Sequence, residues 1–135
     1  MREPDVYGRV SFDDYFLQIK EQFKTRYNAD LEYYQSNIEG ELINAIQKAG
    51  LDPTIMGIVL NAGGYSHTSI ALADAVKAIP KNVVLVHISN IHARELERRI
   101  DLLAAYAQGQ ITGLGLHGYD LALEYLISWQ DVVKN

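Results

Sequence analysis

Two short apolar runs constrain the fold of this chain more than any other feature. Met56-Gly57-Ile58-Val59-Leu60 is uninterrupted, and Val83-Val84-Leu85-Val86-His87-Ile88 is broken only by a histidine near its carboxyl end. Each is too short for a stable helix and apolar at nearly every position, which is the pattern of a parallel strand buried on both faces. Helical signals fill the intervals. Ser11-Phe12-Asp13-Asp14 has the form of a helix start, and Phe12, Phe16, Ile19 and Phe23 then recur at helical spacing up to an end near Tyr27 and Asn28. Leu31 to Gln35 is short and aromatic-rich, which predicts a strand, and a second helix is predicted from Ser36-Asn37-Ile38-Glu39 to Gly50. Ser66 to Ile79 reads as a third helix stopped by Pro80, and Ile91 to Ala107 is charged and open to a helical reading. Gln110 to Leu116 is a weak strand interrupted by glycine. Tyr119 to Val133 is a closing helix with Ala122, Tyr125, Leu126, Trp129 and Val133 on one face.

Strands alternating with helices predict an open parallel α/β sheet with right-handed crossovers and helices on both faces. Ligands of such sheets sit outside the carboxyl ends of the strands, so the polar residues that follow each strand are the site candidates. Those are Gln35 and Ser36, Asn61 to His67, and His87 to Asn90.

The 135 residues fit one domain over 1–135, because about 100 to 200 residues per domain is usual. At 48% hydrophobic and 21% charged residues, the composition is that of an ordinary soluble globular protein, and no window is long and apolar enough for a membrane span. Met1-Arg2-Glu3-Pro4-Asp5 lacks the apolar stretch of a secretory signal, so export is not expected. Twelve basic against seventeen acidic side chains leave a net charge of -5, which argues against general nucleic-acid binding. With no cysteine there is no thiol nucleophile, thiolate metal site or disulfide, a composition compatible with a reducing cytoplasm.

Asn61-Ala62-Gly63-Gly64-Tyr65-Ser66-His67-Thr68-Ser69 puts two glycines and a set of amide and hydroxyl donors where a strand meets a helix start. It reads either as a turn plus helix cap or as a pocket for an anion or polyol, and it matches no phosphate-binding fingerprint. His87-Ile88-Ser89-Asn90-Ile91-His92-Ala93-Arg94 ends the second apolar run in imidazole, hydroxyl, amide and guanidinium. A strand histidine is most often a hydrogen-bonded core residue, but His87 falls where such sheets keep their sites. His87 and His92 without an acidic third ligand make a poor zinc pattern, so no metal site is expected. Arg2-Glu3-Pro4-Asp5-Val6-Tyr7-Gly8 taken alone reads as a surface loop.

Four segments taken together resemble type II 3-dehydroquinate dehydratase: Arg-Glu-Pro-x-x-Tyr-Gly at 2–8, Gln-Ser-Asn-x-Glu-Gly-Glu-Leu at 35–42, the stretch at 61–69, and Val-His-Ile-Ser-Asn-Ile-His-Ala-Arg-Glu at 86–95. The resemblance runs in order from residue 2 to about residue 126. It implies a flavodoxin-like sheet, trimers assembled into a dodecamer, a cytoplasmic location, and no cofactor or metal. The implied reaction is anti elimination of water from 3-dehydroquinate through an enolate, giving 3-dehydroshikimate in the shikimate pathway or in quinate breakdown. Tyr7 would be the base, with Arg2 and Arg94 holding it as phenolate, and His87 the acid that protonates the departing hydroxyl. Asn61 would bind and orient substrate, the backbone amides of Ile88 and Ser89 would take the carboxylate, and His67 and Arg98 would bind ring hydroxyls. Asp74 would reach a neighbouring subunit's site, and Glu3 and Pro4 would shape a closing loop.

The chemistry makes separate sense of these residue types. A phenol with the ordinary pKa near 10 needs roughly 4 kcal/mol of preference for the phenolate to act as a base near pH 7. One guanidinium at about 4 Å, at an effective dielectric near 20, supplies about that much. Hydroxide is a poor leaving group, so the elimination also needs an acid.

The sequence departs from the family in three places. No apolar strand precedes Arg2, where the family opens with one followed by Gly-Pro-Asn-Leu-Asn: either the chain start is incomplete or the protein is a degenerate homologue, and loss of that strand would leave sheet edges unpaired. Leu85 stands where the family commonly has Glu, two residues before the acid on the same strand face, and Ile100-Asp101-Leu102-Leu103-Ala104-Ala105 replaces His-Ser-Tyr-Leu-Ser-Pro. The rival readings are a catalytically silent homologue that keeps an assembly or carboxylate-binding role, and a flavin- or phosphate-dependent module of the same fold.

Overall fold

A computed structural model of the chain describes residues 11–134, with side chains up to Trp129. Helix α1 (Phe12–Tyr27) begins where the hydroxyl of Ser11 accepts the Asp14 N–H and ends at Asn28, whose φ of 52° is the left-handed conformation that closes a helix. Helix α2 (Glu39–Leu51) leads into strand β1 (Gly57–Leu60). A 3-10 turn (Gly63–His67) then precedes helix α3 (Ile70–Ala78), capped by the Ser69 hydroxyl on Leu72 N–H. Strand β2 (Asn82–His87), strand β3 (Gly109–Thr112) and helix α4 (His117–Lys134) complete the order.

The strands are parallel in the order β1-β2-β3, with Leu60 beside Leu85, Val86 beside Ile111 and His87 beside Thr112. Strand β2 is central and buried on both faces, as its continuous apolar run requires. The two-residue alternation of a strand divides its side chains between two cores. Val83 and Leu85 pack with Ile46 of α2, with Leu72 and Val76 of α3, and with Leu103. Val84 and Val86 pack on the other face, with Tyr15, Ile19 and Phe23 of α1 and with Tyr119, Ala122 and Leu126 of α4. This is the expected flavodoxin-like arrangement of helices on both faces. No helix among the described residues is long and apolar enough to cross a membrane.

Two local expectations are corrected. Leu31 to Gln35 is not a strand, because it has no ladder partner among the described residues and a strand exists only by pairing. Leu31 instead packs toward the α1–α4 side, while Tyr33 lies against Phe12 and Phe16 with ring centres 4.6 and 5.4 Å apart. The stretch 91–107 is not a helix but three 3-10 turns, at Ile91–Ala93, Leu96–Arg98 and Ala104–Tyr106. Leu96, Ile100, Leu103 and Ala107 recur at helical spacing, but they do not share a buried face: Ile91 and Leu103 are buried, whereas Leu96 and Ile100 face solvent. The expectations of an absent first strand and of Val133 on the face of α4 fall outside the described side chains, and within the described sheet the outer edge of β1 carries no partner strand.

Helices α2 and α3 meet through a glycine. A Cβ on Gly50 would stand 2.3 Å from Ile79 Cγ2 and 2.5 Å from its Cβ, and Ile79 is itself in the core. Gly50→Val is expected to destabilise the fold by about 2–3 kcal/mol through overpacking, read as a lowered thermal midpoint. An unchanged midpoint would mean that Ile79 moves aside freely.

Candidate active site at the carboxyl ends of β1 and β2

Asn61 follows the last residue of β1, and His87 is the last residue of β2, so parallel pairing alone brings both to one end of the sheet. Gly63, at a φ of 57°, makes the sharp turn out of β1 without the steric conflict a side chain would meet there. Asn61 is held at both ends of its amide: its NH2 donates to the Tyr119 hydroxyl (2.9 Å), and its oxygen accepts the Gly63 N–H (3.0 Å).

The rings of His67 and His87 stack with centres 6.0 Å apart and planes 19° from parallel. His67 Nδ1 lies 2.5 Å from the carbonyl oxygen of Ile100. A carbonyl only accepts, so Nδ1 carries the proton of that bond, and Nε2 is the acceptor nitrogen of the neutral ring. His87 Nε2 lies 2.6 Å from Asp101 Oδ2, and both side chains are buried, with 6% and 2% of their surface exposed. Asp101 Oδ1 accepts the Leu103 N–H at 2.8 Å. The segment Ile100–Leu103 is also tied to the 63–67 turn by the Leu102 N–H on Ser66 O (2.7 Å). Two loops that are far apart in sequence thus hold the two histidines side by side.

The chain beyond β2 is fixed through its carbonyls. Gly113 N–H donates to His87 O and Gly115 N–H to Ile88 O, each at 3.0 Å, and the Thr112 hydroxyl donates to Ser89 O at 3.1 Å. The guanidinium of Arg94 reaches the Ser89 hydroxyl at 3.4 Å. Arg98 pairs with Glu95 at 2.5 Å on a turn that packs against Gly63–His67. Its own backbone amide and then the Arg98 guanidinium hold the Glu95 carboxyl below the usual carboxylate range.

Of the residues singled out in sequence, Asn61, His67, His87, Ile88, Ser89, Arg94 and Arg98 all lie on the turns and strand ends at this edge. Asp74 does not join them: it is exposed on α3 and makes no hydrogen bond to them among the described residues. Tyr7 and Arg2, with Glu3 and Pro4, lie outside the described residues. Sequence reasoning missed Tyr119, which orients Asn61, and Asp101, which holds His87. The signal for Asp101 was a single carboxylate set inside the apolar stretch Ile100-Asp101-Leu102-Leu103. No three His, Asp or Glu side chains gather as a metal site would require among the described residues.

A family model described as class II dehydroquinase matches residues 1–127. The chain is 49% identical over 131 residues to a 3-dehydroquinate dehydratase of Fusobacterium nucleatum, covering 96% of this chain and 88% of that protein. It is 46% identical over 129 residues to one from Bacillus subtilis, covering 96% and 85%. Among solved structures, a type II dehydroquinase from Butyrivibrio crossotus superposes with a TM-score of 0.87 at 38% identity, over 93% of this chain and 86% of that one.

Proposed function

That the chain belongs to the class II dehydroquinase family is the premise from which we propose how its residues dehydrate 3-dehydroquinate to 3-dehydroshikimate. Tyr7, as phenolate beside Arg2 and Arg94, removes the proton alpha to the ketone, and the electrons are held as an enolate. Collapse of the enolate expels the hydroxyl, which takes a proton from His87 and leaves as water. Asn61 orients the substrate, the N–H groups of Ile88 and Ser89 receive its carboxylate, and His67 and Arg98 receive ring hydroxyls. His67 accepts through Nε2, because Nδ1 is committed to Ile100 O. Asp74, exposed on α3, serves the site of a neighbouring subunit in a trimer-based dodecamer. The enzyme works in the cytoplasm, in the shikimate pathway or in quinate breakdown, as one domain over 1–135.

The observation that most supports this reading is the meeting of Asn61, His67 and His87 at the carboxyl ends of two adjacent parallel strands. Nothing in the fold or in the relatives favours a catalytically silent homologue. The test is the ultraviolet absorbance of the conjugated enone product on mixing the chain with 3-dehydroquinate. A steady rise is expected, and a folded chain that produces none overturns the assignment of these roles.

A further inference from the structure

The strand that carries His87 offers it no carboxylate. Leu85, two residues earlier on the same face, is apolar and 1% exposed. The charge beside the ring comes from a loop fourteen residues further along the chain. We infer that Asp101 is the positioning residue for His87, holding Nε2 so that Nδ1 is the nitrogen that delivers the proton to the departing hydroxyl.

Three observations carry this. An ionised carboxylate only accepts, so the 2.6 Å contact puts a proton on Nε2. The carboxylate cannot swing away, because its other oxygen is bonded to Leu103 N–H and its segment is tied to the 63–67 turn. Nδ1 makes no hydrogen bond among the described residues, and no described buried side-chain nitrogen or oxygen lacks a partner, so Nδ1 is open to a ligand. Transfer of the Nδ1 proton to the hydroxyl breaks the C–O bond with release of water, and it leaves the ring with its proton on Nε2. That neutral tautomer is the one Asp101 favours, so the ring needs no rearrangement before it is reprotonated for the next turnover. The same logic operates in the serine–histidine–aspartate triad, where exchanging the aspartate for asparagine lowers kcat by about 10⁴.

The inference rests on the dehydratase reading, and Asp101→Asn separates the two. Asparagine keeps the volume and can still accept from Leu103 N–H, but it turns an NH2 group toward Nε2 and so favours a proton on Nδ1 of the neutral ring. The expected result is a loss in kcat of about 10²-fold or more, with KM within about threefold of wild type. Nitrogen-15 spectra of neutral His87, assigned against His87→Ala, are expected to change from the Nε2–H form to the Nδ1–H form. Wild-type kcat in Asp101→Asn, or an Nδ1–H ring in the wild-type protein, overturns the inference. A wild-type chain without turnover counts against the dehydratase reading instead, and the spectra then decide the role of Asp101 without substrate.

Discussion

His87→Gln is expected to lower kcat for 3-dehydroquinate by about 10³-fold while leaving KM within about threefold. Loss of a general acid removes an interaction that exists only in the transition state, so the effect falls on kcat. Glutamine is the informative replacement because of what lies behind the ring. Asp101 is 98% withdrawn from solvent by its 2% exposure, and removing one partner of a buried pair costs about 3–5 kcal/mol. His87→Ala would therefore combine a chemical loss with an unfolding penalty. A glutamine amide can still donate toward Asp101 but cannot deliver a proton at neutral pH, so it removes the acid and keeps the contact. Thermal melts beside the steady-state assay distinguish the two losses. A glutamine variant with wild-type kcat would remove His87 from the chemistry.

Tyr7→Phe is expected to lower kcat by about 10³-fold or more, because it deletes the only base the proposed mechanism uses. At an ordinary pKa near 10, about one phenol in a thousand is ionised at pH 7, so the proposed mechanism counts the guanidinium it assigns beside Tyr7 as part of the base. Phenylalanine removes the oxygen and leaves the ring, and substrate binding through Asn61, the Ile88 and Ser89 amides and Arg98 should persist. Stopped-flow or equilibrium binding of 3-dehydroquinate to the phenylalanine variant is expected to match wild type. Undiminished formation of enone by Tyr7→Phe would assign the base to another residue.

Much of this architecture was readable because the signals are local. The apolar runs at 56–60 and 83–88 specify strands buried on both faces, and β1 and β2 agree with them to within a residue or two. Ser11 and Asn28 bound α1 as their side-chain and backbone preferences dictate. The place of His87 at a strand's carboxyl end was legible as well. The readings that failed were those whose outcome depended on a distant partner. Leu31 to Gln35 has aromatic strand composition but no neighbouring strand among the described residues, and the stretch 91–107 closes into short turns although Leu96, Ile100, Leu103 and Ala107 are spaced as in a helix, because packing buries Leu103 and leaves Leu96 and Ile100 in solvent.

The sequence by itself determined the alternation of strands and helices, the end of the sheet where the candidate site residues gather, and the family, since each follows from residue order over a few turns or motifs. Tertiary structure decided which groups touch. His67 meets the Ile100 carbonyl across 33 residues, Asn61 meets Tyr119 across 58, and His87 meets Asp101 across 14. Two of these bonds join a strand end to a separate loop or helix, and the His67 bond joins two loops. The existence of each depends on how the chain packs over the central strand, and no periodicity or local propensity records that packing.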